Sequence, residues 1–331
     1  MIPAGRPLRV GVLGCADIAR RRVLPALAAL EETELTAVAS RSIERARALA
    51  GAFGAAPVSG YAALLAREDV DAVYVPVPAA LHATWVSAAL DAGKHVLAEK
   101  PLTIRGGQTA ELIGRARDRG LVLMENVMFV HHTQHEAVRR LVERGAIGRL
   151  RALRAVFAVP ERPAGDIRYD PALGGGALWD VGVYPLRAAL HLLGPELSVA
   201  GAVLSRGRGR NVDTSGSVLL RRADGVTAQL LFGMEHAYGS EYELWGSEGR
   251  LWLDRAFTPA ADHEPVVRIQ RGSVVEEVVL PAEDQVATTL RAWVAAVREQ
   301  RPADPLTLRQ ARLLDEVRHA AGMSTGVSHD T

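Results

Sequence analysis

The 331-residue chain has one cysteine, Cys15. A single thiol excludes an intrachain disulfide and a cysteine-rich zinc cage, and it suits a reducing compartment. No uncharged apolar run is long enough to span a bilayer. Met1 to Pro7 holds two prolines and a glycine and leads directly into a strand, which leaves no room for the apolar region of a signal peptide. The expectation is a cytoplasmic protein. Charge of one sign is also missing: 39 Lys and Arg stand against 38 Asp and Glu, a net of +1. That balance gives no reason to invoke nucleic acid or an anionic membrane as partner. There is no repeat and no low-complexity segment, and only Ser324 to Thr331 reads as disordered.

What is present is an ordinary globular composition, 48% hydrophobic and 23% charged, in a chain too long for a typical single core. Two domains are expected, 1–125 and 126–331. In the first, short apolar runs alternate with helical spacing. Strands are predicted at Leu8 to Leu13, Leu35 to Ala39, Ala72 to Val75, Val96 to Ala98 and Leu121 to Glu125. Helices are predicted up to about Leu30 and at Ile43 to Phe53, Tyr61 to Ala66, His82 to Ala92 and Ala110 to Arg119. Strict alternation argues for α/β structure with a doubly wound parallel sheet.

After Glu125 come helices Glu136 to Arg144 and Leu178 to Leu193. They are joined by predicted strands at Arg149 to Val159, Ala200 to Leu204, Ser217 to Arg221, Val226 to Phe232, Glu241 to Trp245, Arg250 to Leu253, Val266 to Gln270 and Val274 to Leu280. Short turns such as Asp224-Gly225 make an antiparallel sheet, hence an α+β second domain. Helices Gln285 to Gln300 and Thr307 to Ala320 finish the chain, with apolar stripes suited to core or domain-bridging packing.

Gly14-Cys15-Ala16-Asp17-Ile18-Ala19 follows the first strand and opens a helix, the setting of a dinucleotide loop. Gly14 allows the tight turn, Ala16 lies where backbone meets pyrophosphate, and Ala19 where the helix packs on the sheet. Alanine at the second glycine position weakens the match. The second strand ends in Ala39-Ser40-Arg41-Ser42 with no acid for a ribose 2′-hydroxyl, and Arg45 follows one turn later. A hydroxyl and a guanidinium suit a 2′-phosphate, so the expected cofactor is NADPH/NADP. Tyr61, Val77 in Val75-Pro76-Val77-Pro78, and His82 sit after later strands, where they would line the nicotinamide side. The strand Val96 to Ala98 ends in Glu99-Lys100-Pro101, and a residue at that carboxyl end faces the ligand crevice.

These stretches occur in a recognisable order: Gly11 to Ala19, Ala39-Ser40-Arg41, Ala92 to Pro101, and Gly174-Gly175-Gly176-Ala177-Leu178-Trp179-Asp180-Val181-Gly182-Val183-Tyr184-Pro185. Over nearly its whole length the chain resembles the glucose–fructose oxidoreductase / inositol dehydrogenase family. Within it the chain looks most like the NADPH-dependent sugar 3-ketoreductases of deoxysugar biosynthesis. Met124-Glu125-Asn126, His131-His132, Gly165 to Tyr169 and Gly233 to Tyr238 support that subgroup.

The resemblance implies a Rossmann domain followed by an α+β domain with an open, mostly antiparallel sheet. It also implies a homodimer or homotetramer formed through that sheet. It carries Lys100 over as the pocket lysine and Asp180 as the aspartate after the glycine run. Many sugar and inositol dehydrogenases have histidine where Tyr184 stands, which disfavours a histidine base and favours the ketoreductase subgroup. The implied substrate is a nucleotide-linked keto-deoxysugar.

Asp180 and Tyr184, four apart on a helix, share a face. Lys100 is the expected proton donor, Tyr184 a second donor or substrate hydrogen bond, and Asp180 a holder of substrate or cofactor amide. Glu99 could orient Lys100. Arg21 and Arg22, beside Arg20, could reach the cofactor pyrophosphate or the substrate diphosphate, and Arg168 is a contact candidate for either ligand. Tyr238 and Thr258 are substrate candidates at strand edges. His131-His132-Thr133-Gln134-His135 lacks a recognised ligand spacing, so no metal is expected. Two other readings compete: an NAD(P)-dependent dehydrogenase oxidising a free sugar or cyclitol, and a non-catalytic dinucleotide-binding regulator.

Overall fold

The computed structural model describes residues 5–323. Most of the N-terminal lead-in, 1–4, and the segment read as disordered, 324–331, lie outside the described residues. Six strands, β1 (Leu8–Leu13), β2 (Thr33–Ser40), β3 (Ala56–Ser59), β4 (Ala72–Val75), β5 (His95–Glu99) and β6 (Leu123–Asn126), form one sheet in the order β3-β2-β1-β4-β5-β6. Every pairing in it is parallel. The central strands read as unbroken apolar runs because helices cover both faces. α1 (Leu24–Ala29) packs Leu24 and Leu27 with Val10 and Val12 on one face. α3 (Tyr61–Leu65), α4 (His82–Asp91) and α5 (Gly106–Asp118) bury Leu64, Val86 and Leu112 with Leu13 and Val75 on the other. The strand order reverses between β1 and β4, which opens a crevice at their carboxyl ends.

The second sheet has eight strands in the order β14-β13-β12-β11-β7-β10-β9-β8. They are β7 (Leu150–Ala158), β8 (Ser198–Ser205), β9 (Ser215–Arg221), β10 (Thr227–Gly233), β11 (Gly239–Gly246), β12 (Arg250–Asp254), β13 (Val266–Arg271) and β14 (Val274–Val279). One face holds the main core, under α7 (Val183–Leu193) and α9 (Pro305–Ala320). The opposite face leaves Val203, Leu219, Leu231 and Trp245 exposed. α8 (Gln285–Glu299) returns to the first sheet, burying Val286, Leu290 and Trp293 beside α1. Each such buried side chain contributes about 1.5–3 kcal/mol, so the chain's end ties the first domain back to the second.

Four local features depart from the sequence reading. The edge strand β3 was not expected, since Ala-Pro-Val-Ser lacks alternation; Pro57 is tolerated because an edge strand has ladder positions to spare. β7 runs parallel to β10, because the chain enters this sheet at its middle. α5 begins at Gly106, four residues before the expected start, because Asp315 of α9 accepts the Gly106 N–H at 2.7 Å. The first helix opens as a π turn, Ala19–Val23, ahead of α1, with Pro25 near the junction.

Candidate active site

Gly14 leaves β1 at φ +127, and a β-carbon there would lie 3.4 Å from Val77 Cγ1 and 3.8 Å from the Tyr61 hydroxyl. The loop crosses the crevice between β1 and β4 close under those two side chains. Arg45 donates to the Cys15 carbonyl at 3.3 Å, closing one rim. Ser40 is buried at the end of β2, its hydroxyl accepting the Ser42 N–H at 3.2 Å, while Arg41 stands exposed beside it. A narrow glycine turn at the switch point, with a serine and an outward arginine where an acid could stand, fits a dinucleotide bearing a 2′-phosphate.

Two positions explain how the reactive side chains meet. A β-carbon on Gly174 would come within 2.8 Å of the Ala80 nitrogen in the loop after β4, and one on Gly175 within 2.5 Å of the Arg168 carbonyl. The glycine run therefore lets the second domain close on the first, and lets the loop carrying Arg168 lie against the start of the next helix. That helix begins as a π turn, Leu178–Gly182, before becoming α7. At π spacing the donor for the Asp180 carbonyl would be residue 185, which is Pro185 and has no N–H. Lys100 supplies the missing donor: its Nζ lies 2.5 Å from the Asp180 carbonyl oxygen and 3.2 Å from Asp180 Oδ1. On the far side, Arg168 Nε donates to Asp180 Oδ2 at 2.9 Å and its Nη1 to Asp166 at 3.1 Å.

The Lys100 ammonium lies 4.9 Å from the centre of the Tyr184 ring. That ring is fixed by Phe157, Phe257 and Phe129 at centroid distances of 4.5, 5.8 and 6.1 Å. The Lys100 side chain is only 13% exposed. Burial opposes its charge, but the Asp180 and Glu99 carboxylates beside it outweigh burial and hold the ammonium above the ordinary lysine range. Burial raises Asp180 in turn, yet Lys100 and Arg168 together bring it below the ordinary carboxyl range. Burial also lifts the Tyr184 phenol, against the pull of Lys100. At neutral pH the site therefore holds an ammonium, a carboxylate and an intact phenol, with two acidic protons side by side.

The remaining candidates divide. Glu99 does not bond Lys100. Its Oε1 accepts from the Tyr74 hydroxyl at 2.6 Å and from Asn126 Nδ2 at 2.7 Å, so it acts on the lysine through charge. His82 is buried, with ring nitrogens 2.7 Å from the Val77 carbonyl and 2.9 Å from that of Pro101. Through both ring nitrogens it braces the two loops that flank the crevice. Arg20 and Arg21 pair with Asp17 at 2.8 and 2.6 Å on an exposed helix face, where such pairs contribute little to stability. Ala19 is buried in the core beneath the sheet, and Ile18 is half-buried. Arg22 reaches the second domain, donating to the Pro259 carbonyl at 3.5 Å, next to Thr258, whose hydroxyl lies 3.4 Å from that of Tyr238. Arg22, Tyr238 and Thr258 thus gather around Pro259.

In the histidine stretch, His132 caps α6 (Thr133–Glu143) by accepting the Gln134 N–H at 3.1 Å, and His135 pairs with the Tyr242 hydroxyl at 3.0 Å. Sequence reasoning gave no role to Tyr74, Asn126 or Asp166. Tyr74 and Asn126 lie more than twenty residues from the Glu99 they hold, whereas Asn126 and Asp166 stood in stretches noted only for the family resemblance, Met124-Glu125-Asn126 and Gly165 to Tyr169.

Residues 8–127 match an oxidoreductase family with an NAD-binding Rossmann fold, and residues 135–252 match the GFO/IDH/MocA C-terminal domain. The chain is 55% identical over 318 residues to a dTDP-3,4-didehydro-2,6-dideoxy-alpha-D-glucose 3-reductase of Actinomadura kijaniata, covering 95% of this chain and 96% of that one. It is 58% identical over 328 residues to the enzyme of the same name from Streptomyces violaceoruber, covering 96% of each. Among solved structures it resembles KijD10, a 3-ketoreductase from Actinomadura kijaniata in complex with NADP and TDP-benzene. The TM-score is 0.93 at 54% identity, over 95% of this chain and 98% of that one.

Proposed function

Because this chain belongs to the GFO/IDH/MocA oxidoreductase family, we propose that it is an NADPH-dependent ketoreductase of deoxysugar biosynthesis in antibiotic pathways. Its substrate is a dTDP-linked 3,4-diketo-2,6-dideoxyhexose, reduced at C-3. The observation that carries this reading is the Lys100 ammonium beside the Tyr184 phenol, at the mouth of a crevice whose second strand ends in serine and arginine.

Reducing a ketone requires hydride on carbon and a proton on the forming alkoxide. Bound NADPH supplies the hydride. Lys100 stabilises the alkoxide and gives it a proton, and Tyr184 donates a hydrogen bond to the same oxygen and carries the smaller share of that task. Asp180 has two uses: its carboxylate keeps Lys100 charged, and its carbonyl aims the ammonium. Arg168 neutralises the other carboxylate oxygen, so Asp180 does not hold the lysine proton too tightly. Ser40 and Arg41 receive the 2′-phosphate, the loop from Gly14 to Ala19 receives the pyrophosphate, and Tyr61 and Val77 wall the nicotinamide side. Arg22, Tyr238 and Thr258 contact the nucleotide part of the substrate.

In this reading residues 1–125 bind cofactor and 126–331 bind substrate and assemble the oligomer. The uncovered face of the second sheet supports a homodimer or homotetramer through exposed Val203, Leu219 and Leu231. Among the described residues no helix is long and apolar enough to cross a membrane. We place the enzyme in the cytoplasm, acting on a small molecule and not on nucleic acid.

The direct test is NADPH consumption with a nucleotide 3-keto sugar made in situ by a 2,3-dehydratase. We expect turnover with NADPH at least tenfold more efficient than with NADH. A preference for NADH sinks the Ser40 and Arg41 assignment, and oxidation of a free sugar without reduction of the keto sugar sinks the reaction.

A further inference from the structure

Behind Lys100 lies a buried carboxylate that the chemistry above does not use. Glu125, near the end of β6, has a side chain only 2% exposed, and it faces the 3% exposed Arg187 side chain with Oε2 and Nη1 3.9 Å apart. Its Oε1 accepts the backbone N–H of Leu102 at 2.9 Å and Gln310 Nε2 at 2.8 Å. Arg187 also donates to Asp304 at the start of α9 and to Gln310 Oε1 at 3.5 Å. Glu125 Oε2 and Arg187 Nε have no hydrogen-bond partner although both are buried.

Burying a carboxylate costs several kcal/mol unless the geometry compensates it fully, and here it does not. Stability alone therefore does not account for this pair, whereas position does. Asn126 holds Glu99, the residue before Lys100, and Glu125 holds Leu102, two residues after it. The last two residues of β6 thus clamp the chain on both sides of the lysine. Arg187 stands three residues after Tyr184 on α7, one helical turn behind the phenol. The same carboxylate therefore sets the lysine segment against the helix that carries Asp180 and Tyr184.

We propose that Glu125, paired with Arg187, is a positioning residue that fixes the Lys100 ammonium relative to Asp180 and Tyr184. This rests on the proton-donor role of Lys100. Because Glu125 is buried behind Lys100, its loss acts on kcat and leaves cofactor affinity in place. For Glu125→Ala we expect kcat at least tenfold lower, with KM for NADPH within twofold of wild type. Glu125→Gln keeps an acceptor for the Leu102 N–H and so lies closer to wild type than Glu125→Ala. Binding of NADPH, followed by its fluorescence, counts the folded sites in each variant, so kcat is expressed per competent site.

Equal kcat per site in Glu125→Ala and wild type overturns the inference, as does a rise in KM with kcat unchanged. Glu125→Gln as impaired as Glu125→Ala overturns the clamp on Leu102. Wild-type enzyme is assayed first: absence of turnover there undoes the proposed function, whereas normal turnover with silent Glu125 variants undoes this inference alone.

Discussion

Lys100 is held between burial, which favours a neutral amine, and the Asp180 and Glu99 carboxylates, which favour the ammonium. A proton donor must be protonated to act, so kcat is expected to stay level through neutral pH and fall only above the ordinary lysine range. Asp180→Asn removes one of the charges that raise Lys100, and the basic limb of the kcat profile should then move to lower pH. An unmoved or upward-shifted limb contradicts the pairing. Lys100→Ala is expected to lower kcat by about 10²–10⁴, the range of a positioned general acid. Tyr184→Phe should cost roughly tenfold, since it removes one donor and keeps the ring packed on Phe157. Rapid-quench measurement of the reduced sugar checks both, and a silent Lys100→Ala transfers the donor role to Tyr184. At this scale the chain's residue types had already proposed the donor pair, because lysine and tyrosine carry acidic protons wherever they stand. His82 shows the limit. Its place after β4 suggested a cofactor contact, and only the two carbonyls against its ring reveal a brace.

The element that matters most is the π turn carrying Asp180. Its close seating depends on an absence of side chains: a β-carbon on Gly182 would lie 3.0 Å from the Phe232 ring, and one on Gly216 of β9 would lie 2.4 Å from the same ring. Phe232 fills the space both glycines leave, so β9, β10 and the turn are in register through one phenyl group. Gly216→Ala is expected to destabilise the protein by about 1–3 kcal/mol, the usual cost of overpacking. It should also lower kcat by pushing Phe232 toward the turn and moving Asp180 off Lys100. Urea unfolding and kcat, measured together, check this; unchanged values of both show that the ring relaxes elsewhere. The helical spacing of Asp180 and Tyr184 was legible from a four-residue interval. The widened turn was not, because it arises from Pro185 and the sheet beneath, neither of which an interval encodes.

Over the whole molecule, two sheets are joined by helices that cross between them, α8 returning to the first and α9 lying across the second. The outer face of the second sheet aligns Val203 of β8, Ser217 of β9 and Leu231 of β10 in one row. This row of exposed apolar side chains is the face proposed above for association. Leu231→Asp is expected to shift the mass in light scattering toward the monomer while leaving NADPH binding intact. An unchanged mass places the assembly surface elsewhere.

The sequence by itself determined the fold class, and it pointed to the cofactor loop and to the groups proposed to react. Those follow from local signals: apolar runs of strand length, a glycine at a turn, an arginine where an acid could stand, and a lysine at a strand end. The tertiary structure alone decided how these groups act on one another. Asp180 meets Lys100 through a carbonyl left without a helical donor, Arg168 reaches Asp180 because Gly175 admits its loop, and Glu125 holds Leu102 from the neighbouring strand. Each of these contacts joins chain segments whose approach depends on packing, and packing depends on volumes summed over distant residues. No local pattern carries that sum.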